Sequence, residues 1–132
     1  MSERAAPYEQ PRTTRVRFGA QALQLITKPG IPHWEAPSPA DHLLYEDVPP
    51  SPGTTLVLGG NPGALGAALA LRSPASHVLL ASPSCIALDM GRRTLAANAI
   101  GNATVLEGTS AELSANTEIQ RFYLGVDAGV AA

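Results

Sequence analysis

The chain has 132 residues, enough for one domain and little more. A chain of this size buries roughly two-thirds of its unfolded surface, so it folds without a disulfide or metal staple. One cysteine, Cys85, excludes a disulfide framework and a cysteine zinc cage, while 45% apolar against 15% charged residues excludes wholesale disorder. No apolar run approaches the ~20 residues of a membrane span, and no basic-then-apolar leader opens the chain, so a cytoplasmic protein is expected.

Charge is unevenly placed. Residues 1–30 carry Arg4, Arg12, Arg15, Arg17 and Lys28 against Glu3 and Glu9, a net +3, whereas residues 31–132 are net −5. The basic arm, with Arg12, Arg15 and Arg17, has two readings. It contacts RNA phosphates, or it is a charged edge strand that resists aggregation.

Residues 1–13 read as a flexible tail closed by Pro11. Arg15–Phe18 and Leu23–Thr27 alternate in polarity around Gly19-Ala20-Gln21-Ala22, which predicts a β-hairpin with one apolar face. Residues 14–52 hold this hairpin and a lead-in with prolines at 29, 32, 37, 39, 49, 50 and 52, too many for a long helix or a central strand. One short helix fits, with Ser38 as cap, Pro39 at its first position and Asp41 in its first turn. Leu43, Leu44 and Tyr45 are expected to face the core, and Trp34 either plugs the underside of a sheet or stacks on a base.

From residue 53 to 132 strands alternate with helices. Thr55–Leu58 predicts a strand buried on both faces, and Ala64–Arg72 a helix stopped at Ser73-Pro74. His77–Ala81 is a second buried strand, and Ser82-Pro83 reads as the cap and first-turn proline of a helix running to Asn98. Ala103–Glu107 predicts a third strand, Ser110 caps a short turn over Ala111–Ala115, and Arg121–Val126 predicts a fourth strand. The alternation is that of an α/β, Rossmann-like fold: a doubly wound, mostly parallel sheet with helices on both faces.

Ligands of such folds bind at the turn after the first strand, where glycines let backbone N–H groups approach an anionic or polar group. Gly59, Gly60, Gly63 and Gly66 occupy that turn and the start of its helix. Tight packing of strand on helix selects glycine there as well. The wider window Leu56-Val57-Leu58-Gly59-Gly60-Asn61-Pro62-Gly63-Ala64-Leu65-Gly66 resembles the first motif of class I S-adenosylmethionine-dependent methyltransferases. Ala87–Asn102 resembles the helix after the second strand of that superfamily, and Val105-Leu106-Glu107-Gly108 is similar to its third strand. The hairpin and Lys28-Pro29-Gly30 resemble one branch, ribosomal RNA guanine-N2 methyltransferases built from two fused halves. The resemblance implies a truncated methyltransferase fold, with Gly59, Gly60, Asn61, Gly63 and Ser82 as the positions that would touch S-adenosylmethionine.

The departures from that motif all remove polar contacts. The acidic residue of the first strand falls on Val57, and the middle glycine of the loop on Asn61, followed by Pro62, which lacks an N–H donor. The carboxylate that accepts both ribose hydroxyls falls on Ser82, and an acid near the adenine falls on Thr109. A carboxylate hydrogen bond contributes roughly 1.5–3 kcal/mol, so losing two weakens binding by on the order of 100- to 10,000-fold. The polar-Pro-Pro-aromatic sequence of the family's fourth strand is replaced by Gly125-Val126-Asp127-Ala128-Gly129, with Asp127 as a remnant. No catalytic or metal constellation emerges: His33, His42 and His77 are scattered, and Cys85 reads as a small packed residue in a first helical turn.

Three readings follow. The first is a degenerate half of a duplicated ribosomal RNA methyltransferase with a scaffold or RNA-positioning role. The second is an active S-adenosylmethionine-dependent methyltransferase completed by another domain or subunit. The third is another Rossmann-type binder, allowed by the spacing Gly60-x-x-Gly63-x-x-Gly66 but disfavoured by the missing acid after the second strand. An open sheet edge further predicts a homodimer or a following partner domain.

Overall fold

A computed structural model describes residues 10–49 and 52–108, together with Ala111, Glu112, Ala115 and Thr117. The chain opens with an antiparallel hairpin, β1 (Arg12–Phe18) and β2 (Gln21–Thr27), in which Phe18 pairs with Gln21. Both strands are longer than the sequence indicated, and β1 takes in Arg12 and Thr13 from the expected tail. The turn is only Gly19-Ala20. Gly19 alone has a positive φ of 56°, as the first position of a type II′ turn requires, and that turn matches the twist of the strands. Val16, Phe18, Leu23 and Leu25 form the buried face.

Helix α1 (Pro39–Asp47) begins as the sequence predicted. The Ser38 hydroxyl accepts from the Asp41 N–H and the Asp41 carboxylate accepts from the Ser38 N–H, both at 3.1 Å, which closes a capping box. Only Tyr45 of the expected apolar trio is buried; Leu43 and Leu44 are 59% and 48% exposed. Three consecutive helical residues span ~200° of the circumference, so one packed face cannot hold all three.

The second sheet is parallel, with strands β3 (Gly53–Leu58), β4 (Ser76–Ala81) and β5 (Ala103–Val105) side by side in that order. Helix α2 (Gly63–Arg72) joins β3 to β4, and α3 (Cys85–Ala97) joins β4 to β5. Strand β4 is buried on both faces, as expected of a central strand. Strand β3 is not. Only its Val57 is buried and Leu58 is 52% exposed, because β3 lies at the edge of the sheet among the described residues. Strand β5 is shorter than predicted, although the Leu106 N–H still donates to the Leu80 carbonyl at 2.8 Å.

Right-handed crossovers moving one way across a sheet place their helices on one face. Accordingly, the glycines of α2 and α3, Gly66 and Gly91, both face Leu80. Helices on both faces, the doubly wound expectation, are therefore not seen among the described elements. The described fold is mixed α/β, a parallel sheet beside an antiparallel hairpin, and agrees with a truncated Rossmann-like architecture.

The helix after β4 starts later than predicted. Its cap is Ser84, whose hydroxyl accepts from the Ala87 N–H at 3.2 Å. Ser82 instead accepts the Ser84 N–H at 3.1 Å, a local turn that precedes the helix. The expected fourth strand Arg121–Val126, the cap Ser110 and the positions Thr109 and Asp127 lie outside the described residues.

The hairpin is fixed to α3 by side chains that mimic a neighbouring strand. The Gln24 N–H donates to Asn98 Oδ1 at 2.9 Å, and Asn98 Nδ2 returns to the Gln24 carbonyl at 2.7 Å. Two residues on, the Ile26 N–H donates to Thr94 Oγ1 at 3.0 Å, and that hydroxyl donates to the Ile26 carbonyl at 3.2 Å. One core then runs from the hairpin through Tyr45 and α2 to Val57, Val78 and Leu80. A second cluster of Ile31, Ala87 and Met90 takes up the half-buried Trp34. Trp34 thus sits against α3, under the Arg12 guanidinium, 5.0 Å from the ring centroid, rather than under the parallel sheet.

Candidate functional site: the glycine loop

Strand β3 ends at Leu58 and the chain turns through Gly59-Gly60-Asn61-Pro62 into α2. The Gly59 N–H still pairs with the Ala81 carbonyl at 3.2 Å. Pro62 is buried at the N-cap position with helical φ and ψ and gives no side-chain cap.

A ligand-cradling glycine and a packing glycine differ in what occupies the space of the missing Cβ. A Cβ on Gly60 would lie 2.7 Å from Pro32 Cγ. Asn61 holds the same residue, its Nδ2 donating to the Pro32 carbonyl at 3.0 Å. A Cβ on Gly63 would lie 3.2 Å from the Gly91 Cα, at the closest approach of α2 and α3. A Cβ on Gly66 would lie 2.0 Å from Leu80 Cδ2. Gly60 and Gly66 thus have a protein neighbour in the place of a Cβ, and Gly63 makes a tight contact with Gly91. Gly59 alone in the loop faces open space.

Beside Gly59 a cavity of about 420 Å³ opens between α1, β3 and α2. Gly59, Gly60 and Asn61 line it with His33, Leu44 and Leu69. Gly63 and Ser82 do not, so the five expected cofactor positions are not gathered around one space. Val57 is buried against α2 and brings an aliphatic side chain where the resemblance calls for a carboxylate. Ser82 lies at the end of β4 with its hydroxyl engaged by Ser84. These residues do not fit S-adenosylmethionine: no carboxylate stands at the ribose position, and Pro32 packs against Gly60 where a side chain would otherwise sit.

The residue that sequence reasoning missed is Pro32. Gly30 (φ 106°) and His33 (φ 53°), on either side of it, adopt left-handed backbone and fold the chain back towards the loop, a path that no local pattern in the sequence signals.

The remaining titratable groups are dispersed. The His42 ring stacks on Phe18 with centroids 4.7 Å apart, and His77 Nε2 lies 3.1 Å from Thr104 Oγ1 at an exposed position. Cys85 is exposed in the first turn of α3 rather than packed. Arg92 and Glu107 form a surface ion pair at 2.6 Å, and the hydrogen bond to Glu107 raises the Arg92 pKa further. Among the described residues no three His, Cys, Asp or Glu side chains cluster to hold a metal ion, and no helix is long and apolar enough to cross a membrane.

No protein-family model matches the chain. Over 109 residues, 79% of its length, the chain is 32% identical to the ribosomal RNA small subunit methyltransferase C of Pseudomonas aeruginosa strain LESB58. It is 31% identical over the same length to the protein of that name from strain UCBPP-PA14. The match covers 33% of each of these proteins, so the chain spans about a third of the length of the curated relatives it resembles. Along most of its own length, therefore, this chain is related to a methyltransferase.

Proposed function

We propose that this chain is a methyltransferase-like domain that does not itself bind S-adenosylmethionine and that scaffolds or positions RNA for ribosomal RNA methylation. The observation that supports this most is the occupation of the glycine loop by the protein itself: Pro32 against Gly60, Gly91 against Gly63 and Leu80 against Gly66. On this reading the glycines persist because the packing of strand on helix needs them, after the polar contacts to a cofactor have gone. On the same reading the chain is the degenerate half of a duplicated enzyme, and its partner is a catalytic half or a second subunit. RNA contacts fall to Arg15 and Arg17, which are exposed on the outer face of β1, while Arg12 turns to the inner face and Trp34.

Isothermal titration calorimetry of the full chain with S-adenosylmethionine tests the proposal. No heat of binding is expected up to millimolar cofactor; micromolar affinity defeats it. The active alternative draws on the open space at Gly59 and the adjoining cavity. It requires methyl transfer to ribosomal RNA in the presence of the completing domain, with loss of that activity on Gly59→Val.

A further inference from the structure

We propose that the outer face and free edge of β1 bind the sugar–phosphate backbone of a single RNA strand without reading its bases, a mode of binding that rests on the RNA-positioning role proposed above. Most of the described arginines are engaged by the protein: Arg12 lies over Trp34, Arg72 donates to the Tyr45 and Val48 carbonyls, Arg92 pairs with Glu107 and Arg93 with Asp89. Arg15 and Arg17 are exposed and make no ion pair among the described residues. They sit two residues apart on one face of β1, about 7 Å along the strand. Across the hairpin they face Gln24 and Ala22, both exposed and uncharged, and residues 10–34 contain no Asp or Glu. The nearest acids in sequence, Glu35, Asp41, Glu46 and Asp47, belong to the lead-in and α1, and it is the apolar face of the hairpin that packs with Tyr45 of that helix. The arginine face is thus a basic surface with no internal counter-charge, which a polyanion supplies.

The strand edge adds backbone groups to these side chains. Gln24 and Ile26 of β2 direct their N–H and C=O groups at Asn98 and Thr94 of α3. In an antiparallel ladder the residues opposite them, Arg15 and Thr13, therefore occupy non-hydrogen-bonded positions, and so by alternation does Arg17. The N–H and C=O groups of Thr13, Arg15 and Arg17 point away from β2, to an edge with no strand beyond it among the described residues. Each arginine thus presents a guanidinium fork, which fits a phosphate bidentately, beside an amide donor. The carbonyls on the same edge need a hydrogen-bond donor, which a phosphate lacks and a ribose 2′-hydroxyl supplies. A protein strand is the other class of occupant for an open edge, but charged side chains along an edge disfavour its addition. The same two charges favour an RNA backbone.

Fluorescence anisotropy of a labelled oligouridine, titrated with the full chain over a range of salt concentrations, tests the proposal. Each phosphate contact to a single strand adds about 0.7 to the steepness of log K against log salt, so Arg15→Gln/Arg17→Gln is expected to reduce the slope by about 1.4 and to weaken binding about 70-fold at about 50 mM salt and about 14-fold at about 150 mM. Arg92→Gln/Arg93→Gln makes the same change in net charge on α3 and is expected to leave the slope unchanged. Oligodeoxyuridine is expected to bind about two- to tenfold more weakly, the contribution of one hydroxyl hydrogen bond. In NMR titrations of the unmodified chain with oligouridine, the Thr13, Arg15 and Arg17 amides are expected to shift more than those of Thr14 and Val16, and this mapping decides should the glutamine variant fail to fold. RNA binding that survives the hairpin substitutions, or falls equally with the α3 pair, overturns the proposal and leaves the RNA-positioning role standing on another surface. Equal affinity for the deoxy strand overturns it as well. An oligoglutamate peptide that shifts the same amides and displaces the RNA assigns the edge to a protein partner and refutes it. Absence of any RNA binding at low salt removes both this proposal and the RNA-positioning role.

Discussion

Gly66→Ala asks whether the glycine loop answers to packing or to a ligand. In the middle of a helix, alanine is favoured over glycine by about 0.8–1 kcal/mol. Here the new methyl would lie 2.0 Å from Leu80 Cδ2 and 3.2 Å from its Cγ, where about 3.4 Å is ordinary contact. Leu80 cannot swing aside cheaply. It is fully buried, and its other methyl lies 3.5 Å from where a Gly91 Cβ would sit. Overpacking of this kind costs about 2–3 kcal/mol, at the upper part of the usual range. The propensity gain offsets about a third of that, so Gly66→Ala is expected to lose about 1–2 kcal/mol in urea unfolding followed by circular dichroism, at unchanged m-value. Leu80→Ala on its own costs about 2–5 kcal/mol. In that background the clash is gone, and Gly66→Ala gains up to about 1 kcal/mol, a coupling of about 2–3 kcal/mol. Additivity within about 0.5 kcal/mol, or stabilisation by the single variant, refutes the packing argument.

Two further variants probe how the elements are tied. Thr94→Val keeps the shape of a fully buried side chain but leaves the Ile26 N–H and C=O without their partner, so it is expected to cost about 1–3 kcal/mol and to speed amide exchange in β2 ahead of α3. A loss below about 0.5 kcal/mol would show that the hairpin is held by its apolar face alone. Arg72 donates to the Tyr45 carbonyl and, at 2.5 Å, to the Val48 carbonyl, with its guanidinium carbon 4.6 Å from the Tyr45 ring centroid. Arg72→Ala is expected to destabilise by about 1–3 kcal/mol, and Arg72→Lys to recover less than half, because an ammonium lacks the planar fork. Full recovery by lysine in thermal melts refutes that account.

What the sequence disclosed follows from which forces are local. The capping box at Ser38 and Asp41 is a contact between residues three apart, and it was legible outright. The two-faced burial of β4 was legible from its continuous apolar run. β3 carries a similar run, Leu56-Val57-Leu58, yet it is an edge, because strand order is set by neighbours distant in sequence. Ser82 and Ser84 illustrate a different limit. Both flank Pro83 and both are competent caps; which one starts the helix depends on where α3 meets the hairpin and Gly63, and no local pattern encodes that. The closing of the loop by Pro32 was illegible for the same reason: Pro32 and Gly60 lie 28 positions apart, and only the folded path of the lead-in brings them together.

That closure separates two explanations for the loss of a cofactor contact at the end of β4. If the missing carboxylate were the whole defect, Ser82→Asp would restore two hydroxyl hydrogen bonds and raise affinity for S-adenosylmethionine by on the order of 100- to 10,000-fold. The substitution is structurally mild, since aspartate accepts a backbone N–H two residues on as readily as serine does, and the bond from Ser84 survives. With Pro32 against Gly60 and Asn61 bonded to its carbonyl, however, the loop that would meet the rest of the cofactor is already engaged by the protein. Ser82→Asp is therefore expected to leave binding undetectable by calorimetry up to millimolar cofactor, with thermal stability within a few degrees of the parent. A gain of 100-fold or more from this single carboxylate would mean that the nucleoside reaches Ser82 past Pro32, and the self-occupied loop would no longer explain the chain.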